Sequence, residues 1–359
     1  MSYTDIDDSS VHFQIATWTG DGNADRAIVN DGNSAMQPDL VWYKSRSNAT
    51  SNILYDSSRG ADYYLKSNTA GAEGSDALMF ESFDSDGFSL NGDTDGNGSG
   101  RTYVGWQWKA NGGTRSTFTE SGANPGGGYQ VNTTAGFSIV DYTGTGSAGT
   151  ISHGLTVAPD LILVKNRGAA EDWCVYHAAN TSAAETDFLK LNTSAATADA
   201  TVWNDTAPTT SVFSVGTDAD VNSDGVTYIA YCFASKQGYS KFSSYVGNGA
   251  SDAAPATLGP FIYTGFSPAL VIIKKTSAAD SWLLFDNKRA GYDPAVYRLY
   301  GEDTSAETGG TNNTIQFTSN GFKIRFHGGS LNESGGDYVY MAWAEQPFVT
   351  STGIPTTAR

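Results

Sequence analysis

Three stretches of the chain share one pattern of apolar and polar positions. Each has a proline, a small or acidic residue, four apolar residues and a lysine. They are Pro38-Asp39-Leu40-Val41-Trp42-Tyr43-Lys44, Pro159-Asp160-Leu161-Ile162-Leu163-Val164-Lys165 and Pro268-Ala269-Leu270-Val271-Ile272-Ile273-Lys274. Successive side chains of a strand point to opposite faces, so a half-exposed antiparallel strand alternates apolar with polar. Here Leu161 and Leu163 face one way and Ile162 and Val164 the other, and both sets are apolar. One face fills a sandwich core. The other must be covered by a loop, a sister module or another subunit.

The same markers surround each run, in the same order. An aromatic-rich segment and a glycine turn come first: ATWTGDG from Ala16, VDYTGTG from Val140 and SSYVGNG from Ser243. After the apolar run comes a second short strand, NILYDSSR, DWCVYHAA or SWLLFDNK. Each copy closes on an alternating aromatic strand, TYVGWQWKA, TYIAYCFAS or DYVYMAWAE. Fixed order with unequal spacing means loops of different length on one scaffold. Units of roughly 100 residues are domain-sized and too long for solenoid repeats. Strand signals recur within each unit at roughly 8–12-residue spacing, as in sandwiches and jelly rolls. The pairs Asp86-Gly87 and Asn320-Gly321 sit between strand signals and predict type I′ hairpin turns. The second copy has SVFSV there and lacks the pair.

The predicted fold is all-β: three tandem β-sandwich (jelly-roll, concanavalin- or lectin-like) modules with extended arms at both ends. Residues 1–12 are an N-terminal arm, 13–110 the first module and 111–135 a Gly-rich linker or loop. Residues 136–235 are the second module, 236–346 the third and 347–359 a C-terminal arm.

Composition agrees with short strands and many turns. Of 359 residues only 16% are charged, 12% are aromatic and 41 are glycine. The formal net charge of −17 would be repelled by phosphate backbones and anionic lipid, so neither nucleic acid nor a membrane is an expected partner. MSYTDIDDSS has neither the basic region nor the apolar core of a secretory signal. Frequent sequons then reflect an Asn- and Thr-rich surface. Cys174 and Cys232 would pair if neighbouring strands brought them together, but the chain shows no disulfide framework and two isolated buried thiols are the favoured reading.

Candidate chemistry is sparse. Gly144–Gly149 matches Gly-x-Gly-x-x-Gly, but a β pattern follows instead of the helix a dinucleotide site needs. His12, His153, His177 and His327 lack metal-ligand spacing. Glu171 and Asp172 adjoin in a turn without forming an acid/base pair. No catalytic residue is predicted. Hard cations want clustered oxygens, and Asp93, Asp95 and Asn97 stand at positions 1, 3 and 5 of a calcium-like loop. Asp218, Asp220, Asn222 and Asp224 form a similar loop in the second copy. Calcium is the cofactor such loops would take, although Val104 stands where the bidentate glutamate belongs. The plainer reading is a polar hairpin of Asx turns. Trp106 and Trp108 lie two apart on one strand face. Such a pair stacks on sugar rings or fills a sandwich core, and core packing is the favoured reading.

The segments YTGTGSAGTISHGL, APDLILVKNR, DWCVYH and YIAYCFAS resemble a repeat in structural proteins of tailed bacteriophages, especially of marine bacteria and cyanobacteria. FQIATWTGDGNADRAIVNDGNSAMQPDLVWYKSR and PFVTSTGIPTTAR resemble the same group, so the likeness covers nearly the whole chain. It implies a non-enzymatic virion protein, made in the cytoplasm of an infected bacterium. The leading expectation is a tail, tail-fibre or host-adhesion component. Alternatives are a capsid-exterior decoration or head fibre and, less favoured, a glycan depolymerase. Expected partners are other virion proteins, host-surface glycan and, to cover the second apolar face, further copies of the chain, with a trimer favoured.

Overall fold

A computed structural model describes residues 2–250, 259–289, 295–310, 314–325 and 328–356. Strands hold 43% of the residues and helices 5%, so the fold is all-β. Three large antiparallel sheets share one strand order. In the first module the order is Phe13–Thr19, Thr102–Trp108, Leu40–Ser45, Ile53–Asp56, Tyr63–Lys66 and Gly74–Ser75. In the second, Phe137–Thr143, Thr227–Phe233, Leu161–Asn166, Cys174–His177, Asp187–Lys190 and Ala198–Asp199 follow one another in the same way. In the third the order is Ser240–Val246, Asp337–Pro347, Phe266–Lys275, Trp282–Asp286 and Leu299–Tyr300. The first three strands of each series are called opening, closing and inner; the inner strand is the apolar run after the proline.

A small sheet covers one face of each large sheet. It comprises Arg26–Ile28, Gly87–Leu90 and Phe80–Asp84 in the first module, and Phe261–Tyr263, Gly321–Ile324 and Ile315–Thr318 in the third. The second module has only Gly149–Ser152 and Val212–Val215, in keeping with its missing Asp-Gly pair. Val41 and Tyr43 join Phe80, Phe88 and Leu90 in the first sandwich core, and Ile162 and Val164 join Phe213 and Val215 in the second.

The hairpin turns differ from type I′. Asp84 pairs with Gly87 and Thr318 with Gly321, so the turns centre on Ser85-Asp86 and Ser319-Asn320. Neither Asp86 nor Asn320 has a positive φ. Gly87 has φ 97°, and a Cβ there would lie 2.0 Å from Ile28 O. Glycine is needed because the neighbouring strand passes too close.

The second face of each inner strand faces its sister modules. Leu40 and Trp42, Leu161 and Leu163, and Leu270 and Ile272 belong to one buried cluster spanning all three modules. At its centre the equivalent closing-strand residues Trp108, Phe233 and Trp343 meet as a triangle. Their ring centroids lie 6.2, 5.4 and 5.3 Å apart, and every pair is edge-on. The chain is thus a pseudo-threefold ring of modules closed on itself. The covering expected from a loop, a sister module or another subunit comes from sister modules. Burial of these faces therefore gives no reason to expect a homotrimer: the threefold arrangement exists within one chain.

Residues 111–135 are not a plain linker. Ser116–Phe118 and Gly126–Asn132 form two further strands, the latter paired with the second opening strand. The Gly-rich composition is a packing requirement here, since a Cβ on Gly127 would lie 2.0 Å from Asp141 O. The arms also dock. Tyr3 donates to Gly265 O at 2.7 Å, Thr4 Oγ1 to Gln237 O at 2.8 Å, and Ser351 N to Asp7 Oδ1 at 2.6 Å. The N-terminal arm thus lies on the third module beside the C-terminal arm.

Candidate functional site at the module junctions

The buried ionisable groups converge where modules meet. Asp56 ends the strand Ile53–Asp56, and the turn DSSR brings Arg59 back onto it. Asp56 Oδ1 accepts from Arg59 N at 3.0 Å, and Oδ2 pairs with Arg59 Nε. Arg59 also donates to Leu54 O at 3.0 Å and to Glu73 at 3.1 Å. The second module supplies the remaining partners. Tyr231 donates to Asp56 Oδ2 at 2.7 Å, and Arg167 to Glu73 at 2.8 and 2.9 Å.

The junction between the third and first modules repeats this set. Arg289 pairs with Asp286 at 2.7 Å and with Glu307 at 3.1 Å. Arg46 of the first module reaches Glu307 at 2.9 Å, and Trp106 Nε1 donates to Asp286 Oδ2 at 3.1 Å. The remaining junction uses neutral groups in the same positions. His177 replaces the aspartate, Asn180 the arginine, Thr197 the glutamate and Thr276 the second arginine. His177 Nε2 lies 3.2 Å from Tyr340 O, and Thr197 Oγ1 donates to Asn180 at 2.7 Å. The position of Trp106 and Tyr231 is filled there by Met341, which has no donor. The backbone link is common to all three: Glu73, Thr197 and Glu307 donate N–H to Arg167, Thr276 and Arg46 carbonyls at 3.0, 3.0 and 2.8 Å.

The lysine ending each apolar run is a staple across the same junctions. Lys44 Nζ reaches Thr304 O at 3.2 Å, Lys165 reaches Ala70 O at 3.0 Å and Lys274 reaches Ser194 O at 2.9 Å. Each also bonds a carbonyl of its own following turn. Burial brings all three ammonium groups down to about 8. Burial also brings His177 down to about 4. Its Nδ1 accepts from Ala179 N at 3.2 Å, which leaves Nε2–H to donate to Tyr340 O as a neutral ring.

These groups bond one another across the junctions. The Asp56 and Asp286 side chains are fully enclosed and hold guanidinium and aromatic donors. What the arrangement does is lock three modules in register.

The loops read as calcium candidates have another role. Asn97 and Asn222 are fully buried. Asn97 Oδ1 accepts from Asp21 N at 3.1 Å, and its amide donates to Asp21 and Asn23. Asn222 Oδ1 accepts from Thr145 N at 2.9 Å, and its amide donates to Ser147 and Gly216. Asn332 does the same with Asn248 in the third module. Each asparagine clasps the glycine turn after its opening strand. A Cβ on Gly20, Gly144 or Gly247 would lie 2.2–2.3 Å from a carbonyl oxygen of the clasping loop, so those glycines are obligatory. Asp93 and Asp218 accept from Asp95 N and Asp220 N at 2.7 and 2.8 Å, as Asx turns. Asp220 accepts from Asp172 N at 2.8 Å, and Asp224 is exposed. Among the described residues no three His, Cys, Asp or Glu side chains converge as a metal site.

Trp106 and Trp108 are corrected as sugar platforms: they are 0% and 2% exposed, held between modules, where no sugar ring reaches. The register aligns them with Tyr231 and Phe233 and with Met341 and Trp343. Cys174 and Cys232 are free and buried in the second core. His153 is buried and structural, with Nδ1 accepting from Leu155 N at 3.1 Å. His327 lies outside the described residues. Asp172 holds Lys190 and Asn192, while Glu171 accepts from Lys165 through its carbonyl at 2.9 Å. Sequence reasoning missed the Asp-x-x-Arg turns at 56–59 and 286–289. Aligning the copies carries that signal, since His177 and Asn180 replace both members together.

One pocket opens at the seam between the third and first modules, with a volume of about 340 Å³. The opening strand at Phe13–Ile15 forms its floor, and Asp8, Asp31, Asn287, Lys288 and Glu345 stand around it.

Fold and junctions define an all-β scaffold whose three modules act as one unit. The comparison with known families agrees with that extent: the chain belongs to a family described as a domain of unknown function (DUF7483), matched over residues 8–347. No curated protein and no solved structure matches it.

Proposed function

We propose that this chain is a non-enzymatic structural protein of a tailed-bacteriophage virion, serving in the tail or a tail fibre at the host-facing side. The resemblance of its repeated segments to phage structural proteins is the starting point. The observation that carries the reading is the use of buried polar groups. Asp56, Arg59, Glu73, Asp286, Arg289, Glu307 and the three lysines all hold modules together, and none is left poised for a reaction. A rigid, acidic, self-closed block suits an assembly component. A second reading, decoration of the capsid exterior, gains from the burial of Trp106 and Trp108. A glycan-binding fibre loses its aromatic platform there.

The test is to locate the protein in purified particles by mass spectrometry and by gold-labelled antibody. Label on the tail supports the first reading and label on the capsid the second. Absence from particles ends both. Release of reducing ends from host polysaccharide would favour the depolymerase instead.

A further inference from the structure

The seam pocket has an occupied counterpart elsewhere in the same molecule. At the junction between the first and second modules, the strand Gly126–Asn132 pairs with the second opening strand along its outer side. Gln130 stands opposite Ile139 there, and its amide donates to Ser57 and Ser58 at 2.8 and 2.7 Å. At the seam, strand register makes Ile15 the equivalent of Ile139, and Asn287 and Lys288 the equivalents of Ser57 and Ser58. Those three residues line the pocket. The pocket is therefore the place that Gln130 fills at the other junction. Among the described residues the first opening strand pairs only with Thr102–Trp108, so its outer side has no partner strand. Lys109 N donates to His12 O and Gly20 N to Arg101 O, so by alternation the backbone groups of Gln14, Ala16 and Trp18 face the closing strand, which leaves the N–H and C=O of Ile15 and Thr17 directed outward. Among the described residues the buried Asn287 Oδ1 has no hydrogen-bond partner, where Ser57 has Gln130.

We infer that this seam is a strand-acceptor site. It takes an extended segment of a different protein that adds a β-strand to Phe13–Thr19 and places a basic side chain in the pocket. Strand addition satisfies an open edge with main-chain hydrogen bonds while pockets read alternate side chains. Charge selects the occupant. Asp7, Asp8, Asp31 and Glu345 line the pocket against Lys288 alone. Asp8 is tied to Ser10 and Ser34, Asp7 to Ser351, and Asp31 to Lys288, so the carboxylates are held in place. A second copy of this chain, at net charge −17, is electrostatically disfavoured. The inference stands independently of the virion reading.

Two synthetic peptides test it on the full chain: residues 125–133, Pro-Gly-Gly-Gly-Tyr-Gln-Val-Asn-Thr, and the same peptide carrying Gln130→Lys. Calorimetric titration is expected to give saturable one-to-one binding, tighter for the lysine peptide and weakened by salt. Thr17→Pro removes one outward N–H without touching the closing-strand ladder. It should weaken both peptides about tenfold, the loss of roughly one net hydrogen bond. Lys288→Glu should tighten the lysine peptide and not the glutamine peptide; it needs no edge substitution and stands if Thr17→Pro does not fold. The inference is overturned if neither peptide saturates, if folded Thr17→Pro binds both unchanged, or if Lys288→Glu leaves the lysine peptide unaffected. Concentration-dependent dimerisation abolished by Thr17→Pro would assign the edge to a second copy and also overturn it.

Discussion

The junction between the first and second modules and the junction between the second and third occupy equivalent places and use opposite chemistry. The first buries Asp56, Arg59 and Tyr231 and holds Glu73 and Arg167 half-buried beside them. The second has His177, Asn180, Thr197, Thr276 and Met341 at the same positions. The residues change as a set, and the reason is electrostatic. Tyr231 offers a hydroxyl to Asp56, which in turn needs the Arg59 guanidinium. Met341 offers no donor, so an aspartate opposite it would lack one partner. Desolvating a charge is tolerable only when every partner is present. The comparison teaches that the backbone frame holds either kit: the carbonyl links of Glu73, Thr197 and Glu307 and the lysine staples persist whichever set is used.

The largest expected effect is a single deletion on the charged side. Asp56→Ala leaves Arg59 buried without its carboxylate and should destabilise the fold by about 3–5 kcal/mol. His177→Ala should cost only about 1–2 kcal/mol, the loss of hydrogen bonds to neutral groups. Denaturant unfolding measures both, and equal losses would break the comparison.

Acid should act on the neutral side. The folded pKa of His177 is brought to about 4, below its ordinary 6.5, so the unfolded chain binds the proton first. Its contribution is complete above pH 6.5 and is lost as pH falls through 4, by up to about 3 kcal/mol. Melting temperatures from pH 7 to 4 should fall less steeply in His177→Gln than in the native chain. Parallel curves would remove His177 as the acid-sensitive element.

The staples sharpen the comparison because they are shared. Lys165→Met leaves the carbonyls of Ala70, Asn166 and Glu171 without their donor, a loss of about 1–3 kcal/mol at pH 7. The folded pKa of about 8 lies below the usual 10.5, so the folded chain releases the proton first. Native stability gains from this lysine as pH rises from about 8 toward 10.5. Denaturant midpoints compared between pH 7 and 9.5 should show that rise shrinking in the variant.

The smallest expected effect is an exchange of complete sets. Installing His177→Asp, Asn180→Arg, Thr197→Glu, Thr276→Arg and Met341→Tyr together should leave stability within about 2 kcal/mol of native, since complete buried sets are close to interchangeable. His177→Asp alone should fall well outside that range. If the five together are as harmful as the one, the two junctions are not alternatives on one frame.

Much of the scaffold was legible along the chain. The three proline-led apolar runs, their common order of markers and their two-sided apolarity required strands covered on both faces. The missing Asp-Gly pair of the second copy marked the module with the reduced small sheet. The fate of polar residues was less visible. DTDGNGSG and DADVNSDG have the oxygen spacing of a cation loop, but composition does not say that Asn97 and Asn222 point inward to clasp a glycine turn. For Trp106 and Trp108 core packing was the favoured reading, but the strand pattern also allowed a platform, because exposure is set by a neighbour far away in sequence. The Gly-rich stretch 111–135 looked like a linker, since glycine marks flexibility and close backbone approach alike.

By itself the sequence determined the strands, their two apolar faces and the repetition of one unit, because side-chain alternation and turn chemistry act over a few residues. Only the tertiary structure decided what covers the second face, which polar groups pair across modules and where an open edge remains. Those outcomes depend on contacts such as Trp106 with Asp286 and Tyr231 with Asp56, formed between residues 180 and 175 positions apart. Burial there changes the worth of a charge or a donor by more than any local pattern records.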